Sequence, residues 1–202
     1  MTRFAASLRR LAAVAIVLGL SACTAYSLVP PMANDVANFR VEPDIAWNKA
    51  NKLRVDSSAA LASWTADGPG LNNVIFIGGV KDGTPVLTVQ GDTGGTKDAL
   101  VFRKDMSPSE IVELWEAAIT KLNQTSIAKA SNIQPTQFGG MPGFKFEFSY
   151  TNKDEVERSG LGYAAVKDGR LYMIFYSGTK LHHYGLRLAS AQKMMETAQI
   201  RG

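Results

Sequence analysis

An apolar stripe at helical spacing predicts an amphipathic helix over residues 106–122. Ser107 and Glu110 match a capping box around Pro108 at the first helical position, and Met106 stands where a hydrophobic staple would contact Ile111. The apolar positions of this helix are Ile111, Leu114, Trp115, Ala118, Ile119 and Leu122. One face of the helix is therefore expected to pack on a core.

Three antiparallel strands are predicted to follow this helix. In residues 144–150 aromatic and polar residues alternate strictly, which places four rings on one face of a strand. Residues 161–166 and 171–176 form two more strands around an Asp168-Gly169 turn. Because residues 171–176 are apolar on both faces, they indicate a central strand that is covered on both sides.

A second helix near the C-terminus is the candidate for covering the other face of that sheet. Its apolar positions are Leu181, Tyr184, Leu188, Ala191, Met195 and Ala198. Gly185 weakens its middle. The expected fold is a single α+β domain with a mostly antiparallel sheet sandwiched between helices.

Earlier in the chain, short apolar runs predict strands around residues 45–48, 63–65, 74–79 and 86–90. The last two flank Asp82-Gly83, the favoured chemistry of a tight turn, so residues 74–90 are predicted to form a hairpin. Residues 24–44 contain three prolines and no apolar periodicity, and we interpret residues 23–44 as an extended tether. The alternative is that Val36, Phe39 and Val41 form a first strand.

The first 22 residues have the features of a secretory signal peptide. Arg3, Arg9 and Arg10 precede a short apolar run over residues 11–20, which is about half the length that spans a membrane. The following Leu20-Ser21-Ala22-Cys23 resembles the lipobox of bacterial lipoproteins. That resemblance implies cleavage before Cys23 and its acylation with palmitate-type chains. In that family Asp after the cysteine retains the protein in the inner membrane, so Thr24 implies the outer membrane.

Charge and cysteine content narrow the classes of function. The net charge is +4, and removal of residues 1–22 with their three arginines leaves +1, without a basic stripe for nucleic acid. Cys23 is the only cysteine, so its acylation leaves no disulfide, thiolate nucleophile or cysteine metal ligand. The sequence contains no motif that predicts a cofactor.

Four segments are candidates for functional sites. Residues 91–96 are glycine-rich but lack the Lys-Ser/Thr pair of a phosphate loop. His182 and His183 are adjacent, so they cannot share a metal as an i, i+4 pair does, and helix-surface histidines are favoured. Residues 152–158 are interpreted as a charged, solvated turn. Residues 64–70, with Trp64 beside Asp67, fit either a recognition loop or a strand with a buried tryptophan followed by a turn.

The order of elements over about residues 70–200 resembles the PsbP-like fold, which extrinsic photosystem proteins and some Ran-binding proteins share. The resemblance is an arrangement of elements without a signature motif, so it assigns no functional residue.

The expected organisation is therefore a signal peptide (1–22), a lipidated N-terminus with its tether (23–44) and a globular domain (45–202). The expected function is that of an outer-membrane-anchored periplasmic lipoprotein with a non-catalytic binding or structural role, and an envelope protein as a possible partner. The alternative is an enzyme or small-ligand carrier with a dispersed site that involves His182 or His183 with Asp67.

Overall fold

An eight-stranded antiparallel sheet forms the centre of the domain. The computed structural model describes residues 25–53, 55–89, 100–124 and 128–202. In their order across the sheet, the strands are β1 (Tyr26–Val29), β4 (Trp47–Ala50), β6 (Ala60–Thr65), β7 (Asn72–Val80), β14 (Arg170–Thr179), β13 (Glu157–Lys167), β12 (Met141–Thr151) and β11 (Ala128–Phe138).

Three small sheets and two helices complete the described part. The small sheets join β15 (Gln199–Ile200), β3 (Phe39–Val41) and β2 (Asn34–Val36), then β10 (Val101–Phe102) with β8 (Thr84–Pro85), and β5 (Val55–Asp56) with β9 (Thr88–Val89). The helices are α1 (Pro108–Asn123) and α2 (His183–Glu196). Within the described residues, neither helix is long and apolar enough to cross a membrane.

The two helices lie on opposite faces of the sheet, each with its own core. Side chains alternate across a strand, so Met173 and Phe175 of β14 face the α1 core while Ile174 and Tyr176 face the α2 core. All four are buried. The prediction of an α+β domain with an antiparallel sheet between helices is confirmed.

Helix α1 begins as its sequence predicts. The Ser107 Oγ accepts a hydrogen bond from the Glu110 N–H, and the Glu110 carboxylate accepts one from the Ser107 N–H at 2.7 Å. These bonds satisfy two of the N–H groups that a helix start leaves without partners. Trp115 on the buried face of the helix meets Phe175 of β14 edge to face, with ring centroids 5.1 Å apart.

The alternating aromatic strand is also confirmed as β12. Its rings on the α1 face are buried and belong to Phe144, Phe146, Phe148 and Tyr150. Glycines of β13 stand opposite two of them, Gly162 across from Phe146 and Gly160 across from Phe148. A Cβ at Gly162 would lie 2.3 Å from the Phe146 ring, so the missing side chain makes room for that ring.

Helix α2 covers the second face with a shorter stripe than predicted. Ala191 and Met195 are fully buried, and Tyr184 and Leu188 pack at the edge of the core. Leu181 precedes the helix and is 99 % exposed.

The interpretation of residues 23–44 as a tether is wrong for the residues that the structure describes. β1 pairs with β4 at the edge of the main sheet, and β2 and β3 form a hairpin through Ala37 and Asn38, both at positive φ. Val36, Phe39 and Val41 are buried in the α2 core, as the alternative held. Ala-Asn is an unusual pair for such a turn, so the sequence does not indicate a hairpin at this position. The domain therefore includes residues 25–44.

The predicted hairpin over residues 74–90 is wrong as well. The turn at Gly83 exists, with φ +72° and a hydrogen bond from the Thr84 N–H to the Lys81 carbonyl. However, both edges of β7 are occupied, by β6 and by β14. The chain after Gly83 therefore pairs elsewhere, β8 with β10 and β9 with β5.

The polar stretch after α1 contributes a fourth strand beyond the three predicted. β11 pairs with β12 at the edge of the sheet, and most of its side chains are exposed. Because most side chains of this edge strand face solvent, its sequence lacks the apolar alternation that indicates a strand.

Candidate functional site

A groove of about 550 Å³ lies on the α1 face of the sheet, between β6, β7 and the end of α1. It forms because α1 packs over β12 and β14 and leaves side chains of β6 and β7 only partly covered. Its apolar lining includes Tyr26, Leu53, Val55, Leu61, Ile75 and Leu122. Surfaces of this composition and size bind small molecules in other proteins.

The groove continues into a second cavity of about 220 Å³, which we call the polar end. The two share Pro69, Gly70, Asn73, Ile75, Leu122 and Asn123. The polar end also contains the hydroxyls of Tyr150 and Ser177 and the side chains of Arg158, Asn152 and Asp154. A channel that is mainly apolar, with Lys52, Ser63, Thr65 and Asn73 also in its lining, thus leads to a cluster of hydrogen-bonding groups.

The strand register explains why these polar groups meet. Tyr150 and Arg158 stand opposite each other on β12 and β13, and Ser177 stands opposite Gly160, two residues beyond Arg158. The Tyr150 hydroxyl donates to the Ser177 Oγ at 3.1 Å. Burial raises the pKa of the Tyr150 phenol, so the phenol keeps its proton at neutral pH.

Arg158 is the most unusual residue of the polar end, because its charged side chain is only 5 % exposed. Its guanidinium donates a hydrogen bond to the Gly70 carbonyl. Its Nε is buried and has no hydrogen-bond partner, and no acidic side chain of the described ranges forms a salt bridge with it. Asp154 lines the same cavity but is exposed to solvent. A buried charge without a salt-bridge partner is costly, so Arg158 is the residue of this cavity whose role needs a chemical explanation.

The loop between β6 and β7 forms the wall beside Arg158 and is held by Asn72. The fully buried Asn72 accepts hydrogen bonds at Oδ1 from the Thr65 hydroxyl at 3.0 Å and from the Ala66 N–H at 2.9 Å. Its Nδ2 donates to the Asp67 carboxylate at 2.5 Å. This network fixes the turn and therefore the position of the Gly70 carbonyl.

On the α2 side of the same loop, Arg187 forms a bidentate ion pair with Asp67. The Nε–Oδ2 distance is 2.9 Å and the Nη2–Oδ1 distance 2.6 Å. Hydrogen bonds from Arg187 lower the pKa of Asp67, against the effect of partial burial, and Asn72 and His183 lower it further. Both carboxylate oxygens are occupied, so Asp67 holds the loop in place and is not free to act as a base.

The predicted histidines lie next to this pair without forming a site with it. His182 is exposed at the N-cap of α2, and His183 shares a 2.9 Å hydrogen bond between its Nδ1 and the Thr179 hydroxyl. Their rings are perpendicular, at 86°. Within the described residues, no group of three or more His, Cys, Asp or Glu side chains is arranged to hold a metal.

The other candidates from the sequence are the segment with Trp64, the charged turn, Cys23 and the glycine-rich segment. Trp64 is buried against Phe76, which confirms a strand with a core tryptophan followed by a turn. Of the predicted charged turn over residues 152–158, residues 153–157 are exposed as expected, whereas Arg158 is buried in β13. Cys23 and residues 91–96 lie outside the described residues.

Three residues that build this region, Asn72, Arg158 and Arg187, are not among those predicted from the sequence. The sequence places Arg158 in the charged turn, whereas it is the second residue of β13. The register contained a signal, since counting back by twos from Ala164 through Gly162 and Gly160 puts Arg158 on the α1 face. The partners of Asn72 and Arg187 lie in other elements and have no local signature.

No protein-family model and no curated protein matches the chain. Among solved structures it is similar to cyanobacterial PsbP (CyanoP) from Synechocystis sp. PCC 6803, with a TM-score of 0.54 and 10 % identity over 90 % of this chain and 96 % of that one. LpqN of Mycobacterium tuberculosis, involved in cell envelope biogenesis, superposes with a TM-score of 0.33 and 11 % identity over 91 % of this chain and 88 % of that one. The similarity to CyanoP shows that the chain has a PsbP-like α+β fold.

Proposed function

We propose that the protein is a lipoprotein held by acylated Cys23 at the periplasmic face of the outer membrane, and that its domain has a non-catalytic binding role. The observation that carries the binding role is the groove that ends at Arg158. Asp67 and the two histidines, the residues of the alternative enzymatic site, are occupied in holding a loop or lie on the surface.

The lipid would hold the groove close to the membrane. β1 begins at Tyr26, three residues after Cys23, and Tyr26 itself lines the groove. At no more than about 3.6 Å per residue, these steps keep Cys23 within roughly 11 Å of the groove. The domain is therefore expected to lie against the membrane surface without a long tether.

Membrane fractionation tests the lipid anchor with two variants of adjacent residues. Cys23→Ser removes the acylated thiol and is expected to release the protein from membranes. Thr24→Asp keeps the thiol and is expected to leave the protein membrane-bound but move it to the inner membrane. Retention of Cys23→Ser on membranes would contradict the lipid anchor.

Site-specific photo-cross-linking in intact envelopes tests the binding role. A photoreactive phenylalanine analogue replaces Leu61 in the groove, and the matched control replaces Leu186, which is half exposed on α2 at the opposite face. Adducts with protein or lipid are expected at position 61 and not at position 186. Absence of any adduct at position 61 would overturn the groove as the binding surface.

A further inference from the structure

The charge of Arg158 leaves a place for an anion in the polar end, because Asp154, the acidic residue of that cavity, is exposed and forms no salt bridge with it. A guanidinium is a cation whose planar donors match the two oxygens of a carboxylate. In the described structure it donates to the Gly70 carbonyl, and its Nε has no partner. The partial negative charge at the C-terminal end of α1, next to Asn123, offsets only part of the positive charge.

Ser177 supplies a second donor in the same cavity. Its oxygen already accepts the proton of the Tyr150 hydroxyl, at 3.1 Å. The Ser177 hydroxyl proton is then available to an acceptor in the cavity, which a ligand or the buried, unpartnered Asn152 Oδ1 can supply. Arg158 and Ser177 together thus present donors to one small acceptor group, and Tyr150 orients the serine.

The rest of the groove selects an apolar tail. Leu122 and Ile75 line both cavities, so the apolar surface begins at the polar end. It continues past Leu61 and Leu53 to Tyr26 at the other end. Burial of methylenes on such a surface favours binding in proportion to the length of the chain. A ligand that satisfies both ends is an anion on a long alkyl chain.

We propose that the groove binds a long-chain fatty acid, with its carboxylate at Arg158 and Ser177 and its chain along Ile75, Leu61 and Leu53. The membrane is the source of the ligand, which rests on the proposed anchor, because Tyr26 at the end of the groove is three residues from Cys23. The carboxylate distinguishes this ligand from a neutral lipid, and the chain distinguishes it from a free anion.

Binding titrations separate the two requirements. The full chain with Cys23→Ser is titrated with palmitate below its micelle concentration, with hexadecanol and with acetate. One palmitate per chain is expected to bind at least about tenfold more tightly than hexadecanol, since charge-assisted hydrogen bonds are the strong ones, and acetate is expected not to compete. Equal affinities for palmitate and hexadecanol, or no binding of palmitate, would overturn the proposal.

Arg158→Met tests the residue that selects the carboxylate. Methionine keeps an apolar side chain of similar reach, and replacing a buried charge by an apolar residue is often tolerated. The variant is expected to lose at least about tenfold in palmitate affinity and nothing in hexadecanol affinity. Arg170→Met is the control, because Arg170 is exposed and lies at the end of β14 that is opposite to Ser177. An unchanged palmitate affinity in Arg158→Met would overturn the proposal.

Ser177→Ala provides the test if Arg158→Met does not unfold cooperatively on heating. This smaller change is expected to weaken palmitate binding severalfold and to leave hexadecanol binding unaffected. Equal weakening of both would contradict the carboxylate site.

The photo-cross-link at position 61 separates the fatty-acid proposal from the proposed binding function of the groove. Adducts at position 61 without palmitate binding would overturn the fatty acid alone and leave the groove as a binding surface.

Discussion

Asp67 and Arg187 are 120 residues apart in sequence and form a bidentate ion pair, with Arg187 Nη2 2.6 Å from Asp67 Oδ1. The pair joins the β6–β7 loop to α2. On the other side of the same loop, Arg158 donates to the Gly70 carbonyl. Two arginines on different elements thus hold one short loop from both faces of the sheet.

The first prediction concerns the strength of this pair. The side chains are 30 % and 19 % exposed, so water screens them less than a surface pair. Arg187→Gln and Asp67→Asn are each expected to lower the free energy of unfolding by about 1–2 kcal/mol. Urea denaturation of both variants and the double variant gives the coupling between them.

Lys180→Gln is the control for that measurement. Lys180 and Glu157 form a 2.9 Å ion pair whose side chains are both more than half exposed. Removing this pair is expected to cost less than about 0.5 kcal/mol. Equal losses for the two pairs, or additive effects of Arg187→Gln and Asp67→Asn, would contradict a stabilising role for the bidentate geometry.

The second prediction is the pH dependence of the same pair. Arg187 lowers the pKa of Asp67 below its ordinary 3.8, so the folded protein binds this proton less readily than the unfolded chain. The stabilisation is complete above the ordinary pKa and is lost as the pH falls through the lowered pKa. The difference in unfolding free energy between the unmodified protein and Asp67→Asn should therefore shrink between pH 7 and pH 3. A constant difference would exclude this linkage.

Those parts of the fold that rest on local patterns were predictable from the sequence. Ser107 and Glu110 are three residues apart and cap α1 whatever surrounds them. The alternation of rings along β12 likewise specifies its buried face without knowledge of its neighbours. In both cases the signal lies within a few residues of the structure it causes.

Pairing between distant strands was not predictable in this way. Residues 84–89 have strand-like composition and follow a turn. They cannot pair with β7, because its second edge is occupied by β14, which comes about 100 residues later in the chain. The site around Arg158 could not be predicted from the sequence for the same reason. The geometry around Arg158 depends on Gly70 and Ser177, which no spacing in the sequence connects to it.

The third prediction compares two glycine substitutions with opposite expected signs. A Cβ at Gly162 would lie 2.3 Å from the Phe146 ring, which is fully buried and cannot move aside. Gly162→Ala is therefore expected to destabilise the protein by about 1–3 kcal/mol.

Gly185 provides the contrast, because a Cβ at this position in α2 meets no atom within 4 Å. Gly185→Ala is expected to stabilise the protein by about 0.5–1 kcal/mol through helix propensity. Thermal and urea unfolding of both variants measure the two effects. Stabilisation by Gly162→Ala would show that the Phe146 ring does not pack against the strand as described.

The fourth prediction decides whether residues 26–41 belong to the domain. Phe39 has no exposed surface and contacts the rings of Phe76, Phe138 and Tyr172. Phe39→Ala is expected to cost about 3–5 kcal/mol, a large part of the stability of an ordinary domain. Leu28 lies in the same segment and is 71 % exposed, so Leu28→Ala is expected to change stability by less than about 0.5 kcal/mol.

A flexible tether predicts a different result, because neither substitution in a tether would change the stability of the domain that follows it. Urea unfolding of the two variants in the Cys23→Ser background separates the alternatives. A large loss for Phe39→Ala alone would place the hairpin of β2 and β3 in the core, and with it the start of the domain next to the proposed lipid. Equal, negligible effects would return residues 26–41 to a tether and move the groove away from the membrane.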